Sequence, residues 1–445
     1  MKIAIIGSGI SGLSSAYRLT QGGHQVSLYE ANNYFGGHTN TVDVTLEGHT
    51  YGVDTGFLVF NHRTYPKLVH LFAELGVDTA ATDMSFSAKI PVNGRFGKRT
   101  LEWSGTNLDS VFTQRRNLLS PQYLWMLRDI LRFNKQATEI ANNSESPLAN
   151  LSLGDFLSRN RYSDAFKNWY LLPMAGCIWS CPTAQMLAFP VASFIRFCHN
   201  HGLLQVSDRP QWRTVKGGAK HYVDKLLAGI PNKYLRTPVT GVRRLYYEGR
   251  RQVMIQTLNG AHRYDHVVMA GHSDQSLQLL DDPTEKEKRL LSAIQYQPNH
   301  AVLHTDYSLL PNNRKAWAAW NYQSQNGSDP QVCVHYLLNQ LQPLPFKTPL
   351  IVSLNPIEQP KPHTVIQRFD YAHPIFDAAA IEAQPQFANM QGKNNTWFAG
   401  AWLGYGFHED GLTSGLAVAN AIQNLPHFAP QTMPMRASAI ESVTA

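Results

Sequence analysis

Residues 3 to 30 constrain the fold more tightly than any other part of the chain. Ile3-Ala4-Ile5-Ile6 is a continuous apolar run of the kind a strand buried on both faces requires. Gly7-Ser8-Gly9-Ile10-Ser11-Gly12 follows, and Leu13, Ala16 and Leu19 then recur at helical spacing until Gly22-Gly23. Gln25 to Glu30 alternates as a second strand. The pattern predicts a βαβ unit around a dinucleotide-binding turn. Gly7 permits the tight turn, Gly9 lets backbone approach a pyrophosphate, and Gly12 allows strand and helix to pack closely, with Ser11 in the first helical turn. Glu30 ends the second strand, where its carboxylate is expected to accept hydrogen bonds from both ribose hydroxyls. An acid there favours FAD or NAD over NADP.

The next turn separates FAD from NAD. Gly36-Gly37-His38-Thr39 follows Glu30, and this spacing resembles the signature of the flavin amine oxidase and phytoene desaturase superfamily. Asp54-Thr55-Gly56-Phe57 resembles that superfamily's strand and turn near the flavin, and Lys216-Gly217-Gly218 the point where its chain re-enters the FAD domain. Val239 stands where the family's backbone meets the adenine. Trp397-Phe398-Ala399-Gly400 resembles its aromatic-Ala-Gly strand end, and Asp410-Gly411-Leu412-Thr413-Ser414-Gly415 its final helix start. The resemblance implies FAD as cofactor, with Gly400, Ala401, Gly411 and Leu412 near the flavin.

Three longer strings, 37–42, 54–61 and 404–412, look like a bacterial group of NAD/FAD-binding amine-oxidase-like proteins. That group tends to be encoded beside cyclopropane-fatty-acid-synthase-like methyltransferases, which implies acyl-chain chemistry.

The chain departs from amine oxidases at identifiable points. Ala401-Trp402 replaces the short side chain and Glu that hold the ribityl chain, and His38 replaces the Arg that meets the pyrophosphate. The family's strand lysine at flavin N5 has no counterpart, since no Lys occurs between Lys288 and Lys315. Phe407 matches one member of the family's aromatic pair, and Tyr405 or Trp402 supplies the other. His300, His304, His408 and Glu409 are the acid-base candidates, because a residue must take the proton that accompanies hydride loss.

Composition bounds the rest. The 445 residues carry +7, yet only 16% are charged, against roughly 25% in ordinary globular chains, which excludes a disordered chain. The excess is local: residues 91 to 250 hold 22 basic and 10 acidic side chains, while the segments before and after hold 5 and 7, and 12 and 15. Such a segment attracts nucleic acid, anionic membrane or acidic substrate. No nucleic-acid-binding motif accompanies it, so Arg115, Arg116, Arg128, Arg132 and Lys135 are expected to face anionic lipid headgroups. Ser120-Pro121 predicts a helix start, with Leu124, Leu127, Leu131 and Phe133 turned inward.

Four cysteines are too few for a disulfide framework in a chain of this length and indicate a reducing compartment. Cys177 and Cys181 lack the second close pair that zinc sites usually use, so no metal is expected. The apolar start breaks at Gly7, too soon for a signal peptide, and no run reaches the roughly 18 residues of a membrane span.

The resulting expectation is an α/β protein with a Rossmann-like FAD domain at 1–75, 213–290 and 392–425. A mixed, partly helical substrate domain occupies 76–212 and 291–391, and a tail 426–445. The activity expected is FAD-dependent removal of hydride from a lipid-like carbon, with fatty acyl desaturation foremost. Amine oxidation is the alternative, and a non-catalytic flavoprotein partner of a lipid methyltransferase the second. The location expected is cytoplasmic, with peripheral contact at the inner membrane.

Overall fold

A computed structural model describes residues 1–94, 97–142, 151–205, 209–325 and 331–426. The first strand, Lys2–Ile6, lies at the centre of a five-stranded parallel sheet. In order its strands are Asn232–Tyr234, Gln25–Tyr29, Lys2–Ile6, His266–Met269 and Thr396–Phe398. Alternation along the first strand accounts for the two-sided burial: Ile3 and Ile5 join one apolar cluster with Leu13, Leu28 and Leu412, while Ala4 and Ile6 join another with Tyr29, Val253 and Phe398. Helix Ile10–Gln21 covers the first of these faces, with Leu13, Ala16 and Leu19 buried, and ends at Gly22. This is the Rossmann-like α/β arrangement, in which ligands bind beyond the carboxyl ends of the strands where strand order reverses.

A second, seven-stranded sheet draws on distant segments. Its order is Val365–Ile375, Gln295–His304, Ile351–Leu354, Cys333–Leu337, Trp320–Gln323, Phe86–Gly94 and Gly97–Ser104. The last two form a hairpin, and the helical part begins at Leu108. Ser152 caps helix Leu153–Arg159 by accepting from the Asp155 amide.

Helix Pro121–Asn142 starts where Ser120-Pro121 predicts, but it is rotated from the expected face. Tyr123, Met126, Phe133 and Ala137 are buried, whereas Leu124 and Leu131 are exposed. The sequence carries apolar residues on both stripes. The aromatic one wins because Tyr123 also donates to the Val111 carbonyl and Phe133 packs edge-on against Phe156 and Tyr162.

The four cysteines are buried and unbridged, and burial pushes the Cys177, Cys181 and Cys198 thiols up. Among the described residues no helix is long and apolar enough to cross a membrane. All but the first residue of the expected tail lies outside the described residues.

Candidate active site

The glycine turn is built as the spacing requires. A side chain at Gly12 would put its Cβ 1.9 Å from the Gly7 carbonyl oxygen, so only glycine lets helix and strand meet there. At Gly9 the opposite holds: nothing lies within 4 Å of where a Cβ would stand, and no side chain caps this helix N-terminus. The first-turn N–H groups of a helix have no partner within it. Open space in front of an uncapped N-terminus is a cradle for an anion. The loop at Gly36-Gly37 closes over Gly9, and Ile10 and Ala401 both adjoin Gly411 in the first turn of the last helix, His408–Gln423. Two helix N-termini thus converge beyond the same sheet edge.

Glu30 is 7% exposed and already holds three protein donors: the Ser8 amide at 3.0 Å, the Ser8 hydroxyl at 2.5 Å and the Asn32 amide at 2.8 Å. A carboxylate has roughly four acceptor sites, so about one is left for a ribose hydroxyl instead of the two expected. Val239 lies close by in chain, since the Thr237 amide bonds the Glu30 carbonyl.

His38 lies where the two sheets meet. Its ring is 5.1 Å from that of Tyr371 and 5.2 Å from that of His373, both on strand Val365–Ile375, and 6.5 Å from His272. Its Nε2 is enclosed without a hydrogen-bond partner, and burial holds the imidazole well below its usual pKa. An orphaned ring nitrogen beside the Gly9 cradle suits a ligand acceptor, so the residues present fit a bound dinucleotide.

The Asp54-Thr55-Gly56-Phe57 segment serves packing more than contact. The Asp54 carboxylate is 1% exposed and accepts from Thr41, the Ala219 amide and Gln342; burial raises its pKa to about 7. It thereby ties the re-entry turn at Lys216-Gly217-Gly218 to the strand His49–Asp54. Thr55 is held by the Asn40 carbonyl and the Tyr371 hydroxyl, and the Phe57 amide by the His38 carbonyl. Phe57 alone presents a face to the site, stacked on His408 at 3.9 Å. Leu412 is fully buried in the core, which leaves only its backbone for a cofactor, and Thr39 directs its hydroxyl to Tyr222. Ser11 and Gly400 serve through backbone as well: the Ser11 carbonyl takes the Ser14 and Ser15 hydroxyls, and Ser414 binds the Gly400 amide.

The acid-base candidates separate. His408 Nε2 is 2.7 Å from the Tyr222 hydroxyl, and burial lowers its pKa to about 3. Glu409 accepts from the amides of Lys67 and Leu68, in the first turn of helix Pro66–Leu75, so it is a cap and not a free base. Asp410 likewise accepts from the Tyr405 and Phe407 amides, with its pKa raised to about 6 by burial. His300 is exposed and paired with Asp370 at 2.5 Å. His304 is buried in the second sheet, bonded to Ser353, which also meets His335. His300 and His304, the substrate-domain alternatives to His408 and Glu409 as proton acceptor, are thus each engaged by partners of their own.

The aromatic residues are brought together. Phe407 stacks on Phe197 at 4.9 Å and 20°, Tyr405 lies 6.0 Å from Phe197, and all three line a cavity of about 540 Å³. Trp402 does not join them: it packs on Phe387 and donates to the Gly271 carbonyl in the core. Phe197, Tyr222, His272 and His373 carry no motif of their own in the sequence. Tyr371 and His373 occupy alternate positions of one strand, a period-two signal that marks a shared face. The others come from segments that only tertiary structure unites.

The fold and this site define a dinucleotide-binding α/β protein with an aromatic-walled cavity at the second of its two convergent helix N-termini. The sequence profile of the flavin containing amine oxidoreductase family matches residues 10–336, and the chain belongs to that family, in which FAD binding is typical. It is 25% identical over 260 residues to AofH of Mycobacterium tuberculosis, whose own assignment as a flavin-containing monoamine oxidase is provisional; the match covers 56% of this chain and 52% of that protein. The chain thus spans about half the length of these curated relatives. A shorter stretch of 77 residues, 17% of this chain and 15% of the relative, is 36% identical to a 1-hydroxycarotenoid 3,4-desaturase of Flavobacterium. Cyclohexylamine oxidase from Brevibacterium oxydans superposes with a TM-score of 0.66 over 95% of this chain and 98% of that one, at 16% identity. That likeness is one of fold.

Proposed function

We propose that the chain is a FAD-dependent oxidase of a neutral, apolar monoamine. FAD, held by the Gly9 helix terminus, Glu30, Gly37, His38, Gly400, Ala401 and the Gly411 terminus, would supply the hydride acceptor. The chain's own residues do the rest. Phe197, Phe407 and Tyr405 exclude water from the cavity. Burial lowers the His201 pKa to about 4, so the wall imidazole is uncharged at neutral pH. Arg63 and Lys67 line the cavity together with Glu409 and Asp410, so the lining has no excess of carboxylates to hold an ammonium ion or a polyamine.

The observation that carries this reading is an aromatic-walled cavity whose two carboxylates are both held by backbone amides. Desaturation of an acyl chain needs a base for the second proton. A neutral amine needs none, because its lone pair assists hydride departure. His408, with Nε2 engaged by Tyr222, positions Phe57 and the helix terminus instead of taking that proton. Relatives named as amine oxidases support the same choice.

Acyl-chain desaturation remains the second reading, favoured by the lack of a lysine on strand Gln295–His304. Anaerobic addition of monoamines, polyamines and membrane lipid extracts to the FAD-loaded protein distinguishes them. Flavin bleaching by apolar monoamines supports the first, and bleaching by lipid extract alone the second.

A further inference from the structure

Helix Pro121–Asn142 leaves one face uncovered. Opposite its buried stripe stand Leu124, Trp125 and Leu131, exposed at 43%, 54% and 62% and interleaved with Arg128 and Lys135. Of the helix's two carboxylates, Asp129 is buried, accepts from the Ser163 amide and pairs with Arg132, and Glu139 is exposed in the last turn beyond Lys135, which leaves Arg128 without a carboxylate neighbour on its own helix at i+3 or i+4. Just before the helix, the turn Arg115–Leu119 exposes Leu119 at 88% beside Arg115 and Arg116. Next to that turn opens a pocket of about 670 Å³ lined by Arg99, Arg116, Arg314, Gln114 and Asn312. Glu102, at the same pocket, is spent on the amides of Asn312 and Asn313.

We propose that this surface docks on an anionic lipid bilayer. Leu119, Leu124, Trp125 and Leu131 enter the boundary between headgroups and acyl chains, and the arginine pocket takes a lipid phosphate. Charge complementarity selects this occupant. Residues 98 to 142 hold seven basic and four acidic side chains, two of the acids buried. The core of a protein interface is depleted of charge, whereas an interfacial helix mixes cations with large apolar and aromatic residues. Docking of this face does not depend on which substrate the cavity takes.

The test is cosedimentation of the full chain with vesicles of phosphatidylcholine, with and without phosphatidylglycerol. Partition is expected to be at least about tenfold stronger with the anionic lipid and to weaken with salt. A Leu119→Asp/Trp125→Asp variant should lose about tenfold or more while keeping the wild-type thermal melt. Arg116→Gln/Arg128→Gln should lose the preference for phosphatidylglycerol. Brominated lipid should quench wild-type tryptophan fluorescence more than that of Trp125→Phe. Equal or absent binding to the two vesicle types overturns the proposal, as does wild-type binding by the Leu119/Trp125 variant. So does a wild-type oligomer that this variant dissociates without any vesicle binding, which would make the face a contact between copies of the chain.

Discussion

The Tyr222 hydroxyl joins His408 to Thr39, lying 2.7 Å from Nε2 of the first and 2.5 Å from Oγ1 of the second. The Tyr222 hydroxyl has a single proton, so it donates to one of these two neighbours and accepts from the other. One tyrosine thereby fixes the last helix against the glycine loop. Tyr222→Phe leaves a buried ring nitrogen unpaired, at a cost of about 1–3 kcal/mol. A melting temperature lowered by several degrees is expected. Combined with His408→Phe, the loss should be smaller than the two single losses added; full additivity would show that the two residues do not interact.

Gly9 and Gly12 make opposite predictions although they share one motif. Gly12→Ala drives a methyl into the Gly7 carbonyl and should cost about 1–3 kcal/mol or more of stability. Gly9→Ala meets open space, so the apo-protein should melt as wild type while FAD binding falls at least about tenfold, because the methyl occupies the cradle. Thermal melts and FAD titrations of both variants separate the two roles.

How far such features can be read without a structure depends on their range along the chain. The glycine turn is legible because its cause lies within ten residues, and the aromatic pair because Tyr405 and Phe407 adjoin in sequence. The His38, His272 and His373 group unites three distant segments. Glu409 misleads for the same reason: its motif position suggests a catalytic acid, and only the packing of helix Pro66–Leu75 against the last helix reveals a cap. The face of Pro121–Asn142 misleads differently, since two apolar stripes compete and burial of aromatics decides between them.

Glu409 therefore offers a sharp contrast. Glu409 gives one oxygen to the Lys67 amide and the other to the Leu68 amide, so Glu409→Gln keeps an acceptor for one of them and should retain most of the wild-type turnover with an unchanged pH profile. Glu409→Ala should lose about 1–2 kcal/mol of stability as the helix loses its cap. A large fall in kcat for Glu409→Gln at saturating substrate would restore it as a base.

Acid should destabilise the apo-protein. His201, His304, His335, His373 and His408 titrate at about 3 to 4 when folded, against about 6.5 when unfolded. Between these values the unfolded chain binds more protons, so stability falls as pH drops from about 6.5 toward 4. Asp54 and Asp410 oppose this, with pKa values raised to about 7 and 6, but two carboxylates do not offset five imidazoles. Urea unfolding at pH 7 and pH 5 should show the lower midpoint at pH 5, and a higher one there would contradict the burial of these rings.

The central claim is that this chain takes hydride from the α-carbon of a neutral amine. Its most direct measurement is anaerobic stopped-flow reduction of the FAD-loaded protein by an apolar monoamine and by its α-dideuterated form. Flavin reduction that is slower with the deuterated amine, and that accelerates as pH rises through the amine's own pKa, is the predicted result. Absence of reduction by every amine tested, with reduction by membrane lipids, would contradict it.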